Sequence, residues 1–171
     1  MNTIKMTCNV KSPLGTLLLV ADAQGDALSG LYLERQKYYP DAGSWPDVPD
    51  LPVFDVAQAQ LAGYFSGART TFDVPLAPEG TPFQQDVWAA IRGVPFGETI
   101  PYAELARRVG RPAAVRAAGA ATGRNPLTIM IPCHRIVGSD GALTGFAGGI
   151  DRKRVLLALE AGQLSRMVDV A

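Results

Sequence analysis

Pro101-Tyr102-Ala103-Glu104-Leu105-Ala106-Arg107-Arg108-Val109-Gly110-Arg111-Pro112-Ala113-Ala114-Val115-Arg116-Ala117-Ala118-Gly119-Ala120-Ala121-Thr122-Gly123 reads as two short helices around a tight turn. Pro101 opens the first, with Ala103, Leu105, Ala106 and Val109 inside. Gly110 stops it, and Pro112 opens the second, Ala113 to about Gly123. This is a helix–turn–helix pattern, although by spacing alone such a pair is more often plain core. The second helix is almost bare: Ala113, Ala114, Ala117, Ala118, Gly119, Ala120, Ala121 and Gly123 leave only Val115 and Arg116 with bulk. A slim helix with one long cation can enter a narrow groove, where Arg116 could fill a gap in stacked bases. The plain alternative is an ordinary surface charge.

Upstream, Thr81-Pro82-Phe83-Gln84 is a capping box with Pro at the first helical position, and Phe83, Val87 and Ile91 form the buried stripe. Gly93, Pro95 and Gly97 end that helix. Val74 to Gly80, with Pro75 and Pro78, reads as the connection between two units. The front reads as sheet. Ile4, Met6, Cys8 and Val10 alternate at period two, Thr16 to Ala21 is a second strand and Ala27 to Leu33 a third. Two tight connections predict an antiparallel meander. Residues 36–52 read as a loop, and Phe54, Ala57, Leu61, Tyr64 and Phe65 fit one face of a helix ending at Gly67. Downstream, Asp151 is expected to cap a last helix through Ala161, with Leu156 and Leu157 inward and a frayed tail after Gly162.

The 171 residues are 47% apolar and 19% charged, an ordinary globular composition with room for a sizeable core. No apolar run approaches the ~18 residues of a membrane span. Met1 to Val10 lacks a signal-peptide core, and free thiols suggest a reducing compartment, so a cytoplasmic protein is expected. Two cysteines and one histidine exclude a disulfide framework and leave almost nothing for zinc. Net charge is zero, but residues 1–80 hold 5 Lys/Arg against 9 Asp/Glu, and residues 81–171 hold 11 against 7. Any anionic partner is therefore expected on the back half.

Pro132-Cys133-His134-Arg135 follows the apolar run Leu127 to Ile131. A thiol reacts as thiolate, and its free pKa of about 8.5 calls for help near neutral pH. Adjacent His134 and Arg135 would raise the local positive potential. Glu160, the only acidic residue on the apolar-flanked part of the last helix, suits a buried carboxylate orienting His134. Neighbouring side chains point apart, so proton transfer between Cys133 and His134 would need a water. Alone, a Cys-His dipeptide is chance in most proteins.

The wider order of residues is more specific. Thr81-Pro82-Phe83-Gln84, Val87-Trp88, Pro95-Phe96-Gly97-Glu98-Thr99, Tyr102, Gly110-Arg111-Pro112, Arg116-Ala117, Asn125-Pro126, Ile131-Pro132-Cys133-His134-Arg135-Ile136, Gly145-Phe146, Gly148-Gly149, Lys153 and Glu160 strongly resemble the O6-alkylguanine-DNA alkyltransferases, also called methylated-DNA–protein-cysteine methyltransferases. The close match covers residues ~80–161. The first 75 residues match only in pattern.

The resemblance implies an α+β fold. A ribonuclease H-like antiparallel three-stranded sheet with a helix would occupy residues 1–76, 77–80 would link, and residues 81–171 would form a helical, winged-helix-like domain with the helix–turn–helix. It implies irreversible, single-turnover transfer of an alkyl group from O6-alkylguanine (and O4-alkylthymine) in double-stranded DNA, bound by the minor groove, to Cys133. His134 would act through a water, Glu160 would hold His134, and Asn125 would brace the turn between recognition helix and site. Tyr102 would assist extrusion and bond the guanine edge. Arg116 would replace the flipped base, with Ala114, Ala117 and Gly119 on the DNA face. Ile136, Phe146, Ala147, Thr122 and Lys153 would form the substrate pocket, and backbone groups of Cys133, Ile136 and Ala147 would read the base. No cofactor, metal or membrane partner is implied. The protein is expected as a monomer able to assemble cooperatively on DNA. Two departures stand out: Phe146 replaces a Tyr of many relatives, and Cys8 is too isolated for the zinc of eukaryotic members. A non-catalytic binder of alkylated DNA would lack Cys133, a transcription regulator would not explain the Cys/His/Glu set, and a thiol hydrolase would need an oxyanion hole that is not recognisable.

Overall fold

The computed structural model describes residues 4–163. Three strands, β1 (Met6–Ser12), β2 (Gly15–Ala21) and β3 (Leu28–Leu33), form an antiparallel sheet in sequence order. The β1–β2 turn closes Ser12 against Gly15, which takes φ +103°, a conformation glycine adopts without a Cβ penalty. Ile4 does not join β1: it is 67% exposed, and the strand begins at Met6. Both sheet edges are covered. Thr7 pairs with the 46–48 segment through Thr7 N to Pro46 O and Val48 N to Thr7 O, both 2.9 Å. On the other side, Leu28 pairs with Leu76 and Leu31 with Leu127. Capped edges present no template for another strand. The segment read as a free connection is thus a strap: Val74 is buried, and Ala77 N donates to Leu28 O at 2.7 Å.

Helix α1 (Pro52–Phe65) lays Phe54, Ala57, Leu61, Tyr64 and Phe65 inward. Helix α2 (Pro82–Arg92) starts at the expected capping box, Thr81 accepting from Gln84 N at 3.1 Å and Gln84 from Thr81 N at 3.0 Å. The short strand β4 (Ile100–Pro101) pairs in parallel with β5 (Ile136–Val137) and leads into α3 (Tyr102–Arg108). Helix α4 (Val115–Gly123) begins two residues later than Ala113, because Arg111 to Ala114 close a turn (Ala114 N to Arg111 O, 2.9 Å) and Ala114 is non-helical. The last helix, α5 (Ile150–Glu160), is capped by Gly149 at φ +92°, not by Asp151, which lies in the first turn. There Asp151 still complements the helix dipole. Leu156 and Leu159 face inward, while Leu157 is half-buried. The tail beyond residue 163 lies outside the described residues.

One hydrophobic core runs through both halves, from Leu17, Leu31 and Phe54 to Trp88, Leu105, Leu127 and Leu156. Within the described residues no helix is long and apolar enough to cross a membrane.

Candidate active site

The site grows from the segment after α4. Asn125 is buried and bonds on both ends of its amide: Oδ1 accepts from Leu127 N at 2.9 Å, and Nδ2 donates to Ile131 O at 2.7 Å. Between them Ile129 holds φ +79° although it is β-branched and buried. Such a conformation costs about 1–3 kcal/mol and persists only where surroundings over-determine it. Here the Asn125 clamp and the pairing of Leu31 with residues 126–128 do so. The clamped loop delivers Pro132 and a single 3-10 turn, Cys133–Arg135, with Cys133 N bonded to Ile131 O at 2.7 Å.

Two residues of the turn, His134 and Arg135, converge on one carboxylate. His134 is fully buried, and its Nε2 meets Glu160 Oε2 of α5 at 2.6 Å. The carboxylate therefore fixes the proton on Nε2. Nδ1 is buried with no hydrogen-bond partner. Arg135 grips the same carboxylate, Nε to Oε1 at 2.7 Å and Nη2 to Oε2 at 3.0 Å, with Nη1 donating to Val94 O at 2.7 Å. Its charge is thus matched by Glu160, which corrects the expectation that it raises the potential at Cys133. Tyr64 O–H of α1 donates to Glu160 Oε2 at 2.6 Å, and Gly97 N to Oε1 at 3.3 Å.

These contacts set the protonation states. Burial would push the Glu160 carboxyl up, but hydrogen bonds from His134, Arg135 and Tyr64 outweigh it and hold it well below the carboxylate range. Burial pulls His134 down, against the pull of Glu160, so the ring rests neutral with Nδ1 free to accept a proton. Burial pushes the Cys133 thiol up, while the Asn125 side chain, Lys153 and backbone N–H groups of Cys133 and His134 pull it down. Lys153, the other cation near Cys133, has no carboxylate partner among the described residues. It is fully buried, and Nζ donates to Ile136 O at 2.6 Å and Thr144 O at 2.8 Å. Burial lowers it to about 8, with the charge at Cys133 acting oppositely. The arrangement is a resting thiol beside a neutral base, able to form a thiolate on demand.

An open cavity of about 960 Å³ lies between α4 and the 144–147 loop; Cys133, His134 and Lys153 are not among the residues that line it. Ala117, Gly119, Tyr102, Phe146 and Ala147 line it, with Lys37, Tyr38 and Arg124 at the rim. Tyr102 O–H donates to Thr144 O at 3.1 Å and Gly145 O at 3.2 Å. Of the residues expected in the pocket, Thr122 is not there: it is buried, and its hydroxyl donates to Ala118 O at 2.7 Å within α4. Ile136 is fully buried, with its carbonyl engaged by Lys153. The Ala147 carbonyl accepts from Lys37 N at 2.8 Å. Each of these carbonyls keeps a second lone pair able to accept from a base. Arg116 is exposed on α4 and Ala114 precedes the helix; neither lines the cavity. Trp88 Nε1 donates to Ala121 O at 2.8 Å and fixes α4 to α2. Among the described residues no group of three or more His, Cys, Asp or Glu could hold a metal.

Sequence reasoning missed Tyr64, taken as core, and the Arg135–Glu160 pairing. The available signal for Tyr64 was its hydroxyl, which a buried tyrosine must satisfy.

Comparison with known proteins places both halves. The model of the 6-O-methylguanine DNA methyltransferase ribonuclease-like domain matches residues 7–78, and that of the DNA binding domain of the same name matches residues 82–162. A methylated-DNA–protein-cysteine methyltransferase of Mycobacterium tuberculosis is 47% identical over 151 residues, 88% of this chain and 89% of the relative. One of Haemophilus influenzae is 46% identical over 150 residues, 87% of this chain and 82% of the relative. The crystal structure of Mycobacterium tuberculosis OGT in complex with DNA superposes with TM-score 0.87 at 41% identity, covering 96% of this chain and 98% of that one.

Proposed function

Because the chain belongs to the 6-O-methylguanine DNA methyltransferase family, we propose that it repairs alkylated DNA directly, moving the alkyl group from guanine O6 to Cys133. The observation that carries this assignment of residues is the buried His134, next to Cys133 in the chain, anchored through Nε2 to Glu160 and with Nδ1 left without a hydrogen-bond partner.

A water between Sγ and Nδ1 passes the thiol proton to His134. Sγ attacks the alkyl carbon, an S–C bond forms, the C–O6 bond breaks, and its electron pair goes to the guanine oxygen. Lys153 and the imidazolium stabilise the thiolate. The guanine, which stays in the DNA, takes one proton in exchange for the alkyl group: Tyr102 turns its O–H from the Thr144 and Gly145 carbonyls to the guanine edge and donates, and the His134 imidazolium returns a proton to Tyr102 through water, so the thiol proton ends, in net, on the guanine. The alkyl group lies within the duplex stack, so the nucleotide must leave it, at a few kcal/mol. The slim face of α4 suits the minor groove, with Ala117 and Gly119 admitting the backbone and Arg116 entering the stack. The N-terminal unit (1–76) and the DNA-binding unit (81–171), joined at 77–80, then act as one monomer. The match of separate family models to residues 7–78 and 82–162 supports that division.

Both described cysteines are free, and Cys8 lies in β1, so no resolving thiol serves Cys133. A thioether is not reversed by thiol exchange, and each molecule acts once. The test is mass spectrometry after mixing with duplex DNA carrying O6-methylguanine. A 14-Da methylene increment, which follows from replacing the thiol hydrogen by a methyl group, is expected on the peptide holding Cys133, with repair levelling off at one lesion per molecule. Continued turnover, or the increment elsewhere, would reject the assignment.

A further inference from the structure

We infer that Tyr64, contributed by α1 of the N-terminal unit, is a positioning residue for alkyl transfer: its hydroxyl holds the Glu160 oxygen that in turn holds His134. The inference rests on the reading of Cys133, His134 and Glu160 as the transfer set.

The geometry is specific. Tyr64 O–H and His134 Nε2 both reach Glu160 Oε2, each at 2.6 Å, and Arg135 Nη2 meets the same oxygen at 3.0 Å. Tyr64 is fully buried, and its ring is set among Phe65, Phe72 and Phe96 at centroid distances of 5.5, 5.3 and 6.1 Å. A hydroxyl so boxed has one direction in which to donate. Burial, and then the charge of Glu160, push Tyr64 far above the ordinary phenol range, with Arg135 acting oppositely, so it remains a donor at any working pH. The groups facing His134 and Glu160 are Cys133 and Arg135 from the turn, Lys153 from α5, Tyr64 from α1 and the Gly97 amide.

Donors on one carboxylate oxygen compete for the same negative charge. The Tyr64 hydroxyl takes a share of the acceptor strength of Oε2 and so moderates its pull on the His134 proton. Without it, Glu160 would favour the imidazolium more strongly. His134 would stay protonated to higher pH, and Nδ1 would be unavailable as a base over that interval. The ribonuclease-like unit thereby reaches across the fold, 96 residues along the chain, to tune the base.

The experiment is the pH dependence of Cys133 alkylation by free O6-benzylguanine, in the full chain, for wild type and Tyr64→Phe. The variant keeps the ring and removes only the hydroxyl. Its acid limb should move up by about half to one pH unit, which is roughly three- to tenfold slower transfer below the limb. A 3-fluorotyrosine at position 64, a stronger donor, should move the limb down. Phe65→Leu disturbs the same helix without touching Glu160 and should lower stability with the limb unmoved. Profiles of both Tyr64 variants that superimpose on wild type, or a shift reproduced by Phe65→Leu, would overturn the inference. Wild type that gains no adduct on Cys133 would overturn the underlying assignment instead.

Discussion

Arg135 and Glu160 form a buried fork, Nε to Oε1 at 2.7 Å and Nη2 to Oε2 at 3.0 Å, with the carboxylate side chain 1% exposed. The pair ties the turn that carries the thiol to the end of α5 and leaves no surplus charge from Arg135 at Cys133. Breaking a buried pair by removing one partner leaves an uncompensated charge. Arg135→Met should therefore destabilise the chain by about 3–5 kcal/mol at neutral pH, measured by chemical denaturation. A loss under 1 kcal/mol would show that Glu160 is satisfied without its fork.

Acid should unfold the protein through the same carboxylate. Glu160 titrates below its unfolded value of 4.5, so the unfolded chain takes up that proton first as pH falls. Its contribution is complete above about pH 4.5 and drains away below it. His134 acts in the same direction from higher pH, because burial keeps its folded value under 6.5. Denaturation midpoints should fall from pH 7 toward pH 4, and Glu160→Gln should flatten the part below 4.5. Midpoints independent of pH would contradict both shifts.

His134→Ala and Glu160→Gln should each slow alkylation of Cys133 ~10- to 1000-fold near neutral pH, since a neighbouring charge moves a thiol by ~1–3 units. DNA binding should stay nearly intact in both. Because the two groups act as a unit, the double variant should fall well short of the product of the singles. Single-turnover kinetics in all four proteins provide the measurement, and multiplicative losses would separate the two roles.

Arg116 is exposed on α4 and absent from the cavity wall. Arg116→Ala should therefore weaken repair of methylated duplex strongly while leaving alkylation by free O6-benzylguanine unchanged, since the free base needs no extrusion. Parallel rates on the two substrates decide it; equal losses would place Arg116 in folding.

Trp88→Phe deletes the indole donor that holds Ala121 O at 2.8 Å and thus the register of α4 on α2. One buried hydrogen bond is worth about 0.5–1.5 kcal/mol. Thermal unfolding should show a loss of that order, with weaker DNA binding and unchanged free-base alkylation. A loss confined to free-base alkylation would show that Trp88 acts on the thiol and not on the helix.

Strand alternation, the capping box at Thr81 and the bare Ala/Gly helix were legible in the sequence because each is a local rule: side-chain period and the backbone bonds of adjacent residues. The order Pro132-Cys133-His134-Arg135 with a lone inward carboxylate at Glu160 was legible for the same reason, since few residue types serve a thiol nucleophile. What only the tertiary structure decided is which charges meet. Arg135 is 25 residues from Glu160, and Tyr64 is 96. No periodicity predicts that α1, the 3-10 turn and α5 converge on one carboxylate. The same holds for Thr122, whose hydroxyl takes a carbonyl of its own helix once that face is covered, and for Leu76, which joins β3 because an uncovered edge strand needs a partner. Buried polar groups are partnered after the apolar faces have set the packing, so their partners are read from space and not from spacing.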